Sequence, residues 1–273
     1  MLKNNAPLIS VLMGTLYIRK NLDILKRSLE SILSQTLSSF EFIICDDGSS
    51  NEAKELLNKY AKQDNRIRVI RVGNLIKLAP KLNSCLKEAR GIYIARMDDD
   101  DYSHPKRFEK QAAILESERK ISFVGCNVNL IQVGKTVGFR SFPTYPKVRD
   151  FYITQPYIHP ALMFRKSVLL NVSGYSENKY QVLCEDYDLL LRLYAAGYIG
   201  TNLQEALLDY SIPEKAKGNR RMIHRWNEVI TRWSRFRQLG LLPGALPYVI
   251  KPLVVGLLPE VFLSGIKKVR NEI

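Results

Sequence analysis

Residues 94–105 read IARMDDDDYSHP, four consecutive aspartates directly behind an apolar run, in a chain whose formal net charge is +14. Two carboxylates about 4 Å apart repel by roughly 1 kcal/mol in water and by about 4 kcal/mol at the effective dielectric of a protein surface. Four in a row need an offset. An isolated acidic run reads as a solvated turn, but the flanks of this one carry structure. Gly91-Ile92-Tyr93-Ile94-Ala95 is short, apolar and β-prone, and Pro105 stands at the expected first position of a helix running through Phe108, Ala112 and Leu115. The aspartates then fall at the carboxyl end of a strand and ahead of a helix, where open α/β sheets bind ligands. Clustered oxygen donors there suit a hard divalent cation that also touches a substrate phosphate.

Outward from this stretch the same alternation repeats. Leu8 to Met13, Phe40 to Cys45, Ile67 to Val72, Gly91 to Ala95 and Ile121 to Cys126 are strand candidates. Between them Leu22, Leu25, Leu29, Ile32 and Leu33 keep helical spacing, as do Ala53, Leu56, Leu57 and Tyr60, and again Leu78, Leu82, Leu86 and Ala89. Ser49 followed by Glu52 reads as a capping box opening the second of these helices. Strand and helix alternating at this length predict an α/β fold: a mostly parallel central sheet with helices on both faces. Beyond residue 126, Val128 to Ile131 and Thr136 to Phe139 flank Gln132-Val133-Gly134-Lys135 as a hairpin, prolines punctuate 143–160, and a helix resumes at Glu185.

The totals bound the function. At 273 residues with 46% apolar and 25% charged residues, the chain is of ordinary globular composition and long enough for a substantial core. Forty-one Lys and Arg against 27 Asp and Glu point to an anionic partner: nucleic acid, membrane surface or phosphorylated substrate. Cys45, Cys85, Cys126 and Cys184 are too dispersed for a zinc module or a disulfide framework, and the first residues lack a signal-peptide pattern, so a cytoplasmic protein with reduced thiols is expected.

Two further acidic motifs stand beside the first. In FEFIICDDGSS, residues 40–50, Asp46 and Asp47 again end an apolar strand. An Asp-Gly turn accounts for one of them; nucleotide recognition at a strand end accounts for both. In LCEDYDLLLRLYAAG, residues 183–197, Glu185, Asp186 and Asp188 start a helix, where the helix dipole alone favours acids. Asp186 beside Glu185 is also placed to act as a general base, its pKa raised by burial and like charge. Other chemistries lack their residues: Gly134-Lys135-Thr136 has Asn129 where a P-loop needs glycine, His104, His159 and His224 have no metal spacing, and no GxSxG elbow occurs.

Taken in order, SVLMGT (10–15), QTLSSFEFIICDDGSS (35–50), GIYIARMDDDD (91–101), IHPALMFRKSVLLNVSGY (158–175) and EDYDLLLRL (185–193) resemble the family 2 glycosyltransferases over roughly residues 8 to 210. The resemblance implies a GT-A fold over 1–212, with a nucleotide-sugar-binding half (1–126) and an acceptor-binding half (127–212). It implies that Asp47, with Asp46 and Thr15, holds the base of the donor. By the same likeness Asp98 and Asp100 are the DxD pair that ligates Mg²⁺ or Mn²⁺ on the diphosphate, Asp98 and Asp99 lie against the donor, and Asp186 is the base of an inverting transfer. Asn83 and Arg96 fall at recurrent donor-side positions. The chain departs from the family after the first strand, where Gly14-Thr15-Leu16-Tyr17-Ile18-Arg19 carries extra residues in place of a Tyr-Asn pair; Tyr17 is expected to stack on the base, with a UDP-sugar the favoured donor.

Residues 213–237 hold eight Lys or Arg against two Glu, interleaved with Trp226, Trp233 and Phe236, and the apolar stretch that follows is broken by Pro243, Pro247, Pro252 and Pro259. This 213–273 extension is expected to be a helical, membrane-associated segment on the cytoplasmic face, near a lipid-linked saccharide acceptor; a helical cap on the catalytic domain is the alternative. Two competing functions remain: a nucleotidyltransferase that forms sugar nucleotides, and a nucleic-acid-binding module using the positive charge. The favoured reading has no nucleic-acid partner.

Overall fold

Alternating burial along the first two strands assigns residues to opposite faces of one sheet. In β1 (Ile9–Thr15), Ile9, Val11 and Met13 face one apolar core and Leu12 the other, while in β2 (Phe40–Asp46) Phe40, Phe42 and Ile44 oppose Ile43 and Cys45. Both strands are buried on both sides, so each face must be covered. The computed structural model, which describes residues 6–73, 75, 77–213 and 222–257, covers them with helices. On the first face lie α1 (Asp23–Leu33), α2 (Asn51–Gln63) and α4 (Arg107–Ser117), through Leu25, Leu29, Leu57, Phe108 and Leu115. On the second lie α3 (Leu78–Glu88), α5 (Lys166–Asn171) and α6 (Glu185–Ala195), through Leu82, Leu169, Leu189 and Leu190.

The strands are β1, β2, β3 (Ile67–Ile70), β4 (Tyr93–Arg96), β5 (Tyr102–Ser103), β6 (Ile121–Gln132), β7 (Lys135–Arg140), β8 (Met163–Arg165) and β9 (Ile199–Ser211). They form one sheet in the order β3-β2-β1-β4-β8-β6-β9-β5, with β7 on β6. The expectation of a mostly parallel sheet holds for the contiguous run β3, β2, β1 and β4. β8 runs antiparallel to both β4 and β6, β9 is parallel to β6, and β5 is antiparallel to β9, so the whole sheet is mixed. The cause is β8: three residues following a 3₁₀ turn at His159–Ala161 reverse the chain between β4 and β6, too short a run to show a period in the sequence.

Several boundaries differ from the sequence expectations. The candidates 121–126 and 128–131 are one continuous strand, β6, which crosses residue 126 without a break. Its hairpin with β7 turns on Val133 and Gly134, both at positive φ (48° and 74°), the conformation of a two-residue primed turn. The cap of α2 is Ser50, which accepts from the Ala53 amide, while Ser49 Oγ accepts from the Tyr17 amide at 2.8 Å; the helix therefore starts one residue later than the capping-box reading has it. Pro105 precedes α4 in a turn rather than opening it, and β9 carries no advance signal because Thr201, Asn202, Gln204, Glu205 and Asp209 interrupt its apolar residues.

The chain ends, within the described residues, in two helices packed on the second face. α7 (Met222–Gln238) and α8 (Leu246–Leu257) insert Phe236 and Val249, with Ala245 of the turn between them, into the core that holds α6. Arg232 of α7 is buried, donating to the carbonyl of Tyr152 at 2.9 Å and to Glu228. Among the described residues no helix is long and apolar enough to cross a membrane. The part of the extension that is described packs on the α/β body as a helical cap; residues 214–221 and 258–273 of the expected membrane-associated segment lie outside the described residues.

Candidate active site

The strand ends β1, β2 and β4 open on one side of the sheet, because parallel neighbours in register finish together: Thr15 pairs with Asp46, and Leu12 with Arg96. The loops leaving these ends carry the acids. At β2, Asp46 is wholly buried, accepts from Arg71 Nε at 3.2 Å, and has its other oxygen without a partner. Asp47 accepts from the amides of Val72 and Gly73, at 3.3 and 2.9 Å, and so fixes the chain leaving β3. A carboxylate accepts about four hydrogen bonds, so both aspartates retain capacity for a ligand.

Lys81 ties this loop to the next. Its ammonium, 1% exposed, donates to the backbone carbonyls of Asp47 (2.8 Å) and Thr15, and burial holds its pKa below the ordinary lysine value while Cys45, Asp47 and Asp46 act the other way. Thr15 in turn donates its hydroxyl to Asp99. Burial pushes the Asp99 carboxyl up to about 6, with Asp100 and Asp98 adding to the rise and the Thr15 hydroxyl and Arg19 opposing it.

The four aspartates of the opening stretch have different surroundings. Asp98 is gripped by the fully buried Arg96, which also donates to the Met97 carbonyl. Asp100 accepts from Arg19 at 2.7 Å, and Asp101, buried, accepts from the Ser211 amide at 2.8 Å. Burial, then Asp98, raises Asp101 well above the ordinary carboxylate range. The repulsion inferred from the sequence is thus met partly by two arginines, Arg96 and Arg19, and partly by the Thr15 hydroxyl and the Ser211 amide.

Those contacts also test a metal site. Among the described residues no three His, Cys, Asp or Glu side chains are arranged to hold a cation by themselves. Asp98 and Asp100 nevertheless keep 31% and 24% of their side chains exposed, and two hard oxygen donors that leave positions for diphosphate and water fit Mg²⁺ or Mn²⁺.

Asp186 arrives from the far side of the sheet. It lies in the first turn of α6, accepts from the Tyr187 amide at 2.8 Å, and lines, together with Asp98, Glu185, His159 and Tyr210, a cavity of about 460 Å³. Burial, then Asp186, raises Glu185 above the ordinary glutamate value. His159 is buried against the Tyr175 hydroxyl at 2.8 Å, and burial followed by Arg96 lowers its pKa well below the ordinary histidine value. Contacts run unbroken from Asp47 through Lys81 and Thr15 to Asp99, and the cavity joins Asp98 to Asp186.

Two expected donor-side residues are spent on the scaffold. Asn83 bonds both the carbonyl and the amide of Tyr175, at 2.8 and 2.9 Å, and Glu177, anchoring the loop before α6. Tyr17 exposes 1% of its surface, donates its hydroxyl to the Asn21 carbonyl and has Arg19 over its ring at 5.8 Å. It therefore offers no free face for stacking on a base, because the residues inserted after β1 fold the ring inward. Sequence reading missed Arg19, Arg71 and Lys81; Arg71 stands just past an apolar strand, a signal that could have found it, whereas nothing local marks Lys81.

The profile of the family described as glycosyl transferase family 2 matches residues 15–172. EpsE of Bacillus subtilis (strain 168), a protein named as a glycosyltransferase, is 34% identical over 268 residues, covering 98% of this chain and 95% of that one. A UDP-Gal:alpha-D-GlcNAc-diphosphoundecaprenol beta-1,3-galactosyltransferase of Escherichia coli is 27% identical, covering 98% of each. Among solved structures, TarS 1-349 of S. aureus in complex with UDP-GlcNAc superposes with a TM-score of 0.69 at 18% identity, over 89% of this chain and 72% of that one. The mannosyltransferase PcManGT of Pyrobaculum calidifontis, in complex with GDP-Man and Mn²⁺, gives 0.62 at 16% identity, over 96% and 80%. At those identities the likeness is one of fold, the GT-A arrangement with its mixed sheet. A profile match over more than half the chain, and a relative of matching length at 34% identity, make this protein a member of glycosyl transferase family 2.

Proposed function

We propose that this glycosyltransferase is metal-dependent and inverting, and moves a sugar from a nucleoside-diphosphate donor, a UDP-sugar by preference, to a hydroxyl of a lipid-linked saccharide in cell-surface polysaccharide assembly. The observation that carries the reading is the single 460 Å³ cavity lined by both Asp98 and Asp186. A donor diphosphate held beside Asp98 has its anomeric carbon within the same space as a carboxylate able to take a proton.

In this reading Asp46, Asp47, Thr15 and Arg71 hold the nucleoside at the strand ends, and Asp98 and Asp100 would hold the divalent cation. When bound, that cation supplies positive charge to the departing diphosphate, most where charge is greatest, in the transition state. Arg96 orients the Asp98 carboxylate. Asp186 accepts the proton of the acceptor hydroxyl as that oxygen attacks from the side opposite the diphosphate, so one displacement inverts the anomeric configuration. His159 lines the same cavity as Asp98 and Asp186 and is held in place by its 2.8 Å bond to the Tyr175 hydroxyl.

The lipid-linked acceptor rests on the name of the E. coli relative and on α7. Its Ile223, Trp226, Ile230 and Trp233 recur at helical spacing and are exposed, an apolar stripe on a strongly basic segment. Such a helix lies in an anionic membrane interface rather than across it, which supports a peripheral position on the cytoplasmic leaflet.

A panel of nucleotide sugars, followed by melting temperature and by release of nucleoside diphosphate, tests the whole. UDP-sugars are expected to raise the melting temperature only with Mg²⁺ or Mn²⁺ present, a stabilisation by mass action. A panel in which no nucleotide sugar shifts melting or loses its sugar overturns the reading.

A further inference from the structure

The 460 Å³ cavity has a second kind of group in it. Besides Asp98, Glu185 and Asp186 it is lined by Arg140, the last residue of β7, and by Thr154. Arg140 donates to Thr154 Oγ1 at 3.1 Å and its guanidinium lies 5.2 Å from the centre of the Phe142 ring. Among the described residues it has no carboxylate partner. The other cation lining the cavity, Arg232, is by contrast 3% exposed and already bonded to Glu228 and to the Tyr152 carbonyl. Arg140 is the half-exposed guanidinium with hydrogen-bonding capacity left.

That capacity has a direction. Asp98 serves the donor and Asp186 the acceptor hydroxyl, so the rest of the cavity is where the body of the acceptor goes. A guanidinium presents paired N–H groups that match two oxygens of a phosphate, and an aromatic ring beneath it holds the plane without consuming those donors. The Thr154 hydroxyl beside it adds a polar group that can turn from the arginine to a phosphate oxygen. Ile153 and Ile158 line the remaining wall, which suits the apolar remainder of a molecule whose anionic group is fixed at one point.

We propose that Arg140, with Thr154, is the acceptor-phosphate subsite: it binds a phosphate or diphosphate ester carried by the acceptor and so selects phosphorylated acceptors over neutral ones. This rests on the assignment of the Asp186 side to the acceptor. The phosphate has two possible sources, a lipid diphosphate or a soluble phosphate ester, and the same chemistry recognises both.

The test uses the full chain with its donor site filled by UDP and Mg²⁺, and titrates farnesyl diphosphate, farnesol and inorganic pyrophosphate by calorimetry. Farnesyl diphosphate is expected to bind the wild type, and Arg140→Gln, which keeps a hydrogen bond to Thr154 but removes the charge, is expected to weaken it by about tenfold or more. Arg140→Lys, with its point charge, recovers part of the loss. UDP affinity stays the same in all three proteins. Tighter binding of farnesyl diphosphate than of pyrophosphate identifies a lipid source; equal binding identifies phosphate alone. A wild type that binds UDP but neither phosphorylated probe, or an R140Q protein that binds them as well as wild type, overturns the subsite. Failure of the wild type to bind UDP at all brings down the transferase mechanism instead.

Discussion

Asp186 and Glu185 are neighbours in sequence with opposite demands on the chain. Under the proposed mechanism Asp186→Asn removes the base but not the donor contacts, so kcat is expected to fall by about 10²–10⁴-fold while the dissociation constant of UDP stays the same, as measured by steady-state kinetics and calorimetry. Glu185 reports on stability. Its folded pKa lies above the ordinary value of 4.5, with burial the larger cause and Asp186 the next, so the folded state binds the proton more tightly than the unfolded one. The stability that protonation contributes is lost as pH rises through the raised pKa. Glu185→Gln is therefore expected to raise the melting temperature near pH 8, and the advantage is expected to shrink toward zero as pH falls to 4.5; a difference independent of pH contradicts the assignment. Lys81 belongs to the same scale: Lys81→Met leaves the carbonyls of Thr15 and Asp47 without their donor, a loss of about 1–3 kcal/mol in denaturant unfolding together with weaker nucleotide binding.

Elements take their positions from a few polar ties as much as from apolar stripes. Glu41, buried in β2, accepts from Ser10 Oγ, from the Arg90 amide and Nε, and from Arg68, joining β1, β2, β3 and the turn before β4. Burial alone would raise its pKa, but these donors outweigh it and hold the carboxylate below the ordinary value. The sign is the reverse of that for Glu185: the contribution is present above pH 4.5 and is lost as pH falls through the lowered folded value. Glu41→Ala, which takes the carboxylate from Arg90, its amide and Ser10 and leaves Arg68 only Glu88, is expected to cost about 3 kcal/mol at neutral pH and less in acid, read from urea unfolding at each pH. The α/β repeats up to β4 were legible because each strand and helix repeats its period over several residues. β5, with two residues, and β8, with three, had no such period, and Asn83 and Tyr17 matched family positions while their side chains turned to the scaffold.

At the scale of the whole molecule, the terminal helices settle what the second face of the sheet packs against. α7 and α8 bury Phe236 and Val249 on the α6 side and turn Ile223, Trp226, Ile230 and Trp233 outward. If that stripe meets an anionic leaflet, Trp226→Ser combined with Trp233→Ser is expected to reduce binding to phosphatidylglycerol vesicles by about tenfold or more in a flotation assay, with helix content unchanged by circular dichroism. Raising the salt is expected to weaken the wild type in the same assay, because the basic segment contributes charge attraction that ions screen.

The sequence by itself determined the α/β alternation of the first half, the three acidic motifs and their family likeness, since each strand, helix and motif is written in a short contiguous window. Only the tertiary structure decided that the sheet is mixed, that β9 lies between β6 and β5, that Lys81 and Arg71 belong with Asp46 and Asp47, and that Arg140 shares a cavity with Asp186. The reason is physical: a period or a motif is local, whereas the neighbours of a buried charge are chosen by how distant segments pack, and that choice leaves no mark on the residues beside it in the chain.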